Sequence, residues 1–488
     1  MRRALFALAA LLPGACTVGP NYSRPATPVP SDYLEPHSKA ALSDPELGSW
    51  WTRFGDQKLD ELVDQALAQN LDVEAAAARI REARAEERAA GAAALPQVSA
   101  NASATRQRIS ENAIPVPPGS GAGSGGGGAG GFGLPGSEFT IWRAGFDASW
   151  ELDLFGKTRR SIEAAKARTG ASIWNRRDVQ VSAAAEVAGA YLQLRMLQKE
   201  IALASAELER QERSERLVKA RVRGGLVTGQ DLEQQRSELK GAAAAIPPLR
   251  AAAAVQIHKI GVLTGSLPEA LEAELGTASL SPLSAPLVPA GLPSDLLRRR
   301  PDIRAAERSL AAATADIGVA TADLYPSFSL SAAPALVSTA LASLVTWGSR
   351  SFTAGASLDW PIFNGGRTRA RIEAKNAEQD RALIAYRKTI LTALEDVEDA
   401  LSKIDNDQKE IADLEAGLGS ARRAEGIARE RYSGGLVTYS DVLEAEAKRI
   451  ALENRVVEMM GSKALDTVAL FKALGGGWPE MAQGGAQQ

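Results

Sequence analysis

RYSGGLVTYSDVL (Arg431–Leu443) repeats, with variation, a stretch that occurs earlier in the chain, RVRGGLVTGQDLE (Arg221–Glu233). Seven of the first twelve positions are identical, R..GGLVT..D, and the offset is 431 − 221 = 210. In both places the Gly-Gly pair follows a long charged run that contains no proline. Glycine accepts the left-handed backbone that ends a helix, so each motif reads as the sharp reversal of a helical hairpin. Asp231 and Asp441 follow at matched positions, at the start of the returning helix. There the helix dipole favours a carboxylate by about 0.3–1 kcal/mol.

The duplication extends outward from these turns. GFDASWELDLFGKTRR (Gly145–Arg160) aligns with GASLDWPIFNGGRTRA (Gly355–Ala370) at the same offset, Trp150 against Trp360. Further back, Ala94-Leu95-Pro96 aligns with Leu324-Tyr325-Pro326, where the offset is 326 − 96 = 230. The first copy therefore carries an insertion, visible as PPGSGAGSGGGGAGGFGLPG (Pro117–Gly136). No Gly-Lys-Ser/Thr follows it, so it reads as an exposed loop and not as a phosphate cradle.

Each copy has the same order of elements. A helical stretch (59–93 and 298–323) comes first, with Pro301 at a first helical position, where its missing N–H costs nothing. Two segments with period-2 alternation follow, about 95–107 and 139–155 in the first copy, about 325–336 and 351–363 in the second. Trp142, Trp150, Trp347 and Trp360 lie near segment ends, as in an interfacial aromatic belt. Then come two proline-free runs, Lys157–Arg223 and Arg367–Ser433, each of about 67 residues and ~100 Å as a helix. Their Ala, Leu and alternating charges predict coiled-coil packing. The return helices are expected over Thr228 to about Ala245, where Pro247-Pro248 breaks the first, and over Thr438 to about Lys472.

The domain plan that results has a signal peptide (1–15) and a lipidated, extended N-terminal segment (16–56). Repeat 1 (57–266, tip near 224–228) and repeat 2 (293–474, tip near 434–438) flank a Pro-rich connector (267–292). A flexible tail (475–488) ends it. The opening MRRALFALAALLPGAC has a basic n-region, Arg2 and Arg3, and a short apolar run, Ala4 to Leu12. These make a secretory signal and not a spanning helix. Gly14 and Ala15 before Cys16 resemble a bacterial lipobox, although Pro13 stands where Leu is usual. Cys16 is therefore the expected lipidation site, a covalent lipid and no other cofactor. The alternative is a secreted chain with a stray thiol.

Composition excludes other classes. The net charge of −3 offers no basic face for nucleic acid. One Cys rules out an internal disulfide, and two histidines, His37 and His258, leave no metal cluster to propose. No convergent acid, base and nucleophile is visible, so no catalytic residue is expected. After the signal no apolar run reaches the roughly 18 residues of a spanning helix. Any membrane crossing must then be a closed β-barrel. Four strands are too few, since membrane barrels take about eight or more. Several chains must pool strands; the residues alone do not choose three copies over two or four.

CTVGPNYSRP (Cys16–Pro25), RRRPDIRAAE (Arg298–Glu307), WPIFNGGR (Trp360–Arg367) and the paired GGLVT turns resemble the TolC-like outer-membrane efflux factors. The lipobox and RRRPDIRAAE resemble the branch serving resistance–nodulation–division (RND) pumps. The resemblance implies an α+β homotrimer with four strands per chain. Its 12-stranded β-barrel sits in outer-membrane lipid and continues as a long periplasmic α-helical barrel. It implies a passive exit duct docked to an inner-membrane RND pump through a periplasmic adaptor. Thr17 after Cys16 is similar to an outer-membrane sorting signal. The tips then resemble the periplasmic gate. Asp441 and Glu444, three apart on one helix face, would look into the lumen and form rings of three carboxylates. Asp231 is the first-copy counterpart of Asp441. Tyr432 matches a tyrosine that holds the closed state, and Tyr439 and Ser440 flank the constriction. Ser440 departs from a bulky Leu plug and Val437 from a basic latch. Gly224, Gly225, Leu226, Gly434, Gly435 and Leu436 would form the adaptor-docking tips. A duct for type I protein secretion and a periplasmic adaptor are the alternatives. With only Met1, Met196, Met459, Met460 and Met481, a thioether relay for copper or silver is not expected.

Overall fold

A computed structural model describes residues 17–35, 38, 40, 42–108, 110, 138–277 and 285–478. The signal peptide, Cys16, His37 and the Gly-rich insertion lie outside the described residues. The chain divides into two compact units.

The first unit holds residues up to Ser23, Arg84–Ala167 and Ala311–Asp380. Its centre is a four-stranded antiparallel sheet in chain order: β1 (Gln97–Arg108), β2 (Glu138–Leu152), β3 (Ser327–Ser338) and β4 (Arg350–Asp359). The strands end within a few residues of the expected bounds. β1 pairs Gln97↔Ser149 through Arg108↔Glu138, and β3 pairs Ser327↔Asp359 through Leu336↔Arg350. Between β2 and β3 the pairing lapses at Phe146 and Asp147, opposite Pro334, which has no N–H to offer. Gly145 lies beside that gap. A Cβ there would stand 2.6 Å from the Pro334 carbonyl oxygen and 2.6 Å from the Ala335 Cβ, so only glycine fits. The duplication is visible in the contacts: the Trp150 indole donates to the Ala94 carbonyl at 3.0 Å, and the Trp360 indole to the Leu324 carbonyl at 3.1 Å. Each indole closes the turn just before a Leu-Pro or Tyr-Pro strand start.

The chain after Cys16 is held in this unit. Val18 donates its N–H to the Phe155 carbonyl at 3.2 Å. The buried Arg160 guanidinium donates to the Val18 and Gly19 carbonyls and to Asn21 Oδ1 (3.2, 3.3 and 2.7 Å). Gly19 passes so close to Gly318 that a Cβ would overlap its backbone.

The second unit holds Arg24–Ala83, Arg168–Leu310 and the chain from Arg381. Among the described residues the α-helices are α1 (Asp44–Gly48), α2 (Gln57–Gln69), α3 (Leu71–Ala92), α4 (Lys157–Arg223), α5 (Gly229–Leu263), α6 (Glu272–Leu275), α7 (Pro293–Arg299), α8 (Pro301–Ala322), α9 (Arg367–Ser433) and α10 (Tyr439–Ala473). Both 67-residue helices, α4 and α9, have the bounds read from the sequence. The second unit's core packs Trp50, Leu59, Leu62, Tyr191, Ile260, Ile303, Ile390 and Phe471, with Trp50 stacked on Phe471 at 4.9 Å.

In three places the structure departs from the sequence reading. α5 is not broken at Pro247-Pro248: it runs 35 residues, as α10 does. The prolines remove the partners of the Ala243 and Ala244 carbonyls, but both prolines and Ala244 are exposed, so water can take the freed oxygens. Beyond them Ala253, Ile257 and Ile260 are buried one and two turns apart and hold the helix on the core. The segment expected to be extended up to residue 56 contains α1 and a short 3-10 turn, Trp50–Phe54, whose tryptophans enter the core. The flexible tail does not begin at 475. Gly475-Gly476-Gly477-Trp478 is buried, and Cβ atoms on the three glycines would crowd Arg300, Leu47 and Trp50.

RRRPDIRAAE forms a junction. Arg298 pairs with Asp295. Arg299 pairs with Asp44 and donates to the Leu42 carbonyl. Arg300 reaches Asp302, Asp396 and the Ala473 carbonyl.

Candidate functional site at the hairpin tips

The two tips share one construction. In the first, Leu226 N–H bonds the Arg221 carbonyl at 2.9 Å and Gly225 N–H bonds the Val222 carbonyl at 3.0 Å. In the second, Leu436 N–H bonds the Arg431 carbonyl at 2.9 Å and Gly435 N–H bonds the Tyr432 carbonyl at 3.0 Å. This is a Schellman cap, whose left-handed position is taken by Gly225 (φ 72°) and Gly435 (φ 76°). Gly224, Gly225, Gly434 and Gly435 are exposed, and Leu226 and Leu436 stand 76% and 77% exposed. Each tip thus offers water one apolar side chain beside open backbone.

Thr228 and Thr438 then start α5 and α10. Asp231 accepts from the Thr228 N–H and hydroxyl at 2.9 and 2.8 Å. Asp441 accepts from the Thr438 N–H and hydroxyl at 2.8 and 2.6 Å. These are capping boxes, with Asp in the reciprocal position. The Thr438 hydroxyl, then its backbone N–H, holds the Asp441 carboxyl below the ordinary range. Asp441, Ser440 and Glu444 are exposed, while Val442, Glu446 and Arg449 lie on the buried side of α10. Asp441 and Glu444 therefore do share an open face.

The aromatic residues link the two hairpins. Tyr432 and Tyr439 meet with ring centroids 5.3 Å apart. The Arg221 guanidinium of the first hairpin lies 4.9 Å over the Tyr432 ring. The Tyr439 hydroxyl donates to Gln235 Oε1 of α5. Burial pushes the Tyr439 phenol up to about 12, so it keeps its proton for that bond. Val437, the departure from a basic latch, carries no charge, and the cross-hairpin contacts at the tips are made by Arg221 and Tyr439.

Behind the tyrosines lies a chain of polar side chains that no sequence motif marks. Gln235 is fully buried and donates to the Gln211 side chain and carbonyl at 2.6 and 3.2 Å. Gln211 donates to Glu207 at 2.7 Å. Glu207 faces Arg449, which also binds Glu425 and Glu453. One signal was available: the repeat breaks at these positions. At the offset of 210, Glu207 faces Gly417, Gln211 faces Ala421, Gln235 faces Ala445 and Arg449 faces Leu239. Among the described residues no cluster of His, Cys, Asp and Glu could hold a metal ion, and no helix is long and apolar enough to cross a membrane.

Comparison with known proteins agrees with this architecture. The family model for outer membrane efflux protein matches residues 62–266 and 292–476, each stretch holding one hairpin and its tip. The pyoverdine export outer membrane protein OpmQ of Pseudomonas aeruginosa is 34% identical over 98% of both chains. The cation efflux system protein CusC of Escherichia coli is 29% identical over 97% of this chain and 98% of its own. The solved structure of the outer-membrane channel OprN superposes with a TM-score of 0.84 at 33% identity, over 95% of this chain and all of that one. The chain belongs to the outer membrane efflux protein family, as an efflux channel of the outer membrane and not an enzyme.

Proposed function

We propose that three copies of the chain form one conduit: a barrel of 3 × 4 = 12 strands in the outer membrane, continued by the long helices through the periplasm. The observation that carries this is the sheet with two open edges. Among the described residues β1 pairs only with β2 and β4 only with β3. An open edge in lipid leaves a row of unpaired N–H and C=O groups, each costing several kcal/mol. Pairing β1 of one copy with β4 of the next removes every edge. Cys16 carries the lipid that anchors each chain beside the barrel, and the Arg160 grip on residues 18–21 favours a fixed exit for that anchor.

The conduit is a passive exit duct, fed by an inner-membrane RND pump through a periplasmic adaptor. Relatives named for pyoverdine and for cations share this architecture over nearly their whole length, which supports a duct that leaves the choice of cargo to the pump. The tips are the gate. Asp441 and Glu444 line it, Ser440 widens it relative to a leucine plug, and Asp231, Tyr432 and Tyr439 hold the hairpins that shape it. Gly224-Gly225-Leu226 and Gly434-Gly435-Leu436 dock the adaptor. Planar-bilayer recording of the purified chain tests the duct: ion-conducting steps are expected. A chain that fractionates with the outer membrane yet never conducts, even after Asp441→Asn and Glu444→Gln, would refute it. Truncating Leu226 and Leu436 to Ala should weaken adaptor association and leave oligomers intact.

A further inference from the structure

Four helices contribute to one buried polar cluster behind the tips. α4 supplies Glu207, Arg210 and Gln211. α5 supplies Gln235. α9 supplies Glu425 and Arg429. α10 supplies Tyr439, Glu446, Arg449 and Glu453. Glu207, Glu425, Glu446 and Arg449 are all at least nine-tenths buried. Arg449 is the hub: it reaches Glu207 of the first hairpin at 3.4 Å and Glu425 and Glu453 of the second. Arg429 binds Glu425 at 2.7 Å and Glu446 at 3.0 Å, and Arg210 binds Glu207. Arg422 of α9 also binds Glu453, at 2.7 Å, so four carboxylates face four guanidinium groups, three of which reach solvent.

Two features mark this cluster as a device and not as ordinary filling. It joins the first hairpin to the second at the level where the hairpins would have to part for the tips to open. It also breaks the internal duplication: the repeat mates of Glu207, Gln211, Gln235 and Arg449 are Gly417, Ala421, Ala445 and Leu239. A packing role inherited from the duplicated plan would have kept these positions small or apolar.

We infer that the Arg449 cluster is a proton-sensitive brace between the two hairpins, tightened by acid and loosened as pH rises. The reading of the tips as a gate supplies its purpose, but the brace itself lies within one chain. Glu446 is its titrating member. The charged groups facing it are Glu207 of α4, Glu425 and Arg429 of α9, and Arg449 of its own helix. Burial raises the Glu446 carboxyl above the ordinary range; Glu207 and Glu425 add to this, and Arg429 and Arg449 offset part of it. With the hairpins apart, Glu446 would sit in water with an ordinary pKa. The raised value therefore favours the joined state. That contribution is complete below the ordinary carboxylate pKa and is lost as pH rises through the raised one.

The test is the spin-label distance between Leu217→Cys and Ile427→Cys, exposed positions on the two hairpins, in the full chain with Cys16→Ser. Labelled chains are diluted with unlabelled ones. As pH rises from below the ordinary carboxylate range, about 4, to about 8, the distribution should shift to longer separations. Glu446→Gln, which mimics the protonated group, should stay at the short distance throughout. Arg449→Leu, which leaves the ionised carboxylates facing one another, should give separations longer than the parent's at the alkaline end. An unchanged distribution in the parent chain, or a Glu446→Gln chain that still titrates like the parent, would overturn the brace. The distance is read within the chain and needs no current, so this outcome is distinct from failure of the duct reading.

Discussion

Gly225 and Gly435 are the residues on which each reversal depends. Their φ values of 72° and 76° carry a left-handed penalty of about 1–2 kcal/mol for any residue with a Cβ. Gly435→Ala should lose that much in denaturant unfolding. Gly434→Ala should stay within about 0.5 kcal/mol, because Gly434 has ordinary φ and room for a Cβ. Thr228→Ala removes a cap and should cost about 1 kcal/mol in the same assay. Asp441 has the opposite pH sense to Glu446. Its lowered pKa contributes stability above the ordinary carboxylate pKa, and that stability is lost as pH falls through the lowered value. Thr438→Val should therefore flatten the acid limb of a pH–stability curve. The turns were legible because a helix stop is local, with Gly-Gly within one helical turn; the Thr caps came only with the structure, although Thr-x-x-Asp is equally local. Glu446 and Arg449 were not legible, because on one helix they look like any other charged pair. Only the partners on α4 and α9 show that they are buried.

At the scale of elements, helix length was readable and helix interruption was not. The two proline-free runs gave α4 and α9 their full bounds, since nothing in either run opposes the helix. Pro247-Pro248 suggested a stop, yet α5 continues through it because both prolines face water and buried residues anchor the helix on either side. Pro247→Ala with Pro248→Ala should then restore two backbone hydrogen bonds and stabilise the chain by at least about 1 kcal/mol in denaturant unfolding; no gain would mean that the helix is broken there in solution. The strands were visible as alternation, but the close approach of β2 and β3 at Gly145 was not, because it depends on Pro334, which lies 189 residues away (334 − 145). Gly145→Val should weaken that pairing and lower the temperature at which the barrel form is lost in heat-modified gel migration.

For the whole molecule, the sequence was most informative through what it lacks. Among the described residues no helix is long and apolar enough to span a membrane, and the four strands there are too few to close around themselves. The copy number entered through resemblance and not through arithmetic on one chain, because edge pairing between copies leaves no mark in the residues of a single edge. The account rests on open edges β1 and β4 meeting across copies. Native mass spectrometry of the mature chain extracted in mild detergent tests this most directly. A particle of three chains is predicted, each close to the 51.3 kDa of the full sequence less the expected signal peptide; a folded particle with the mass of one chain would contradict it.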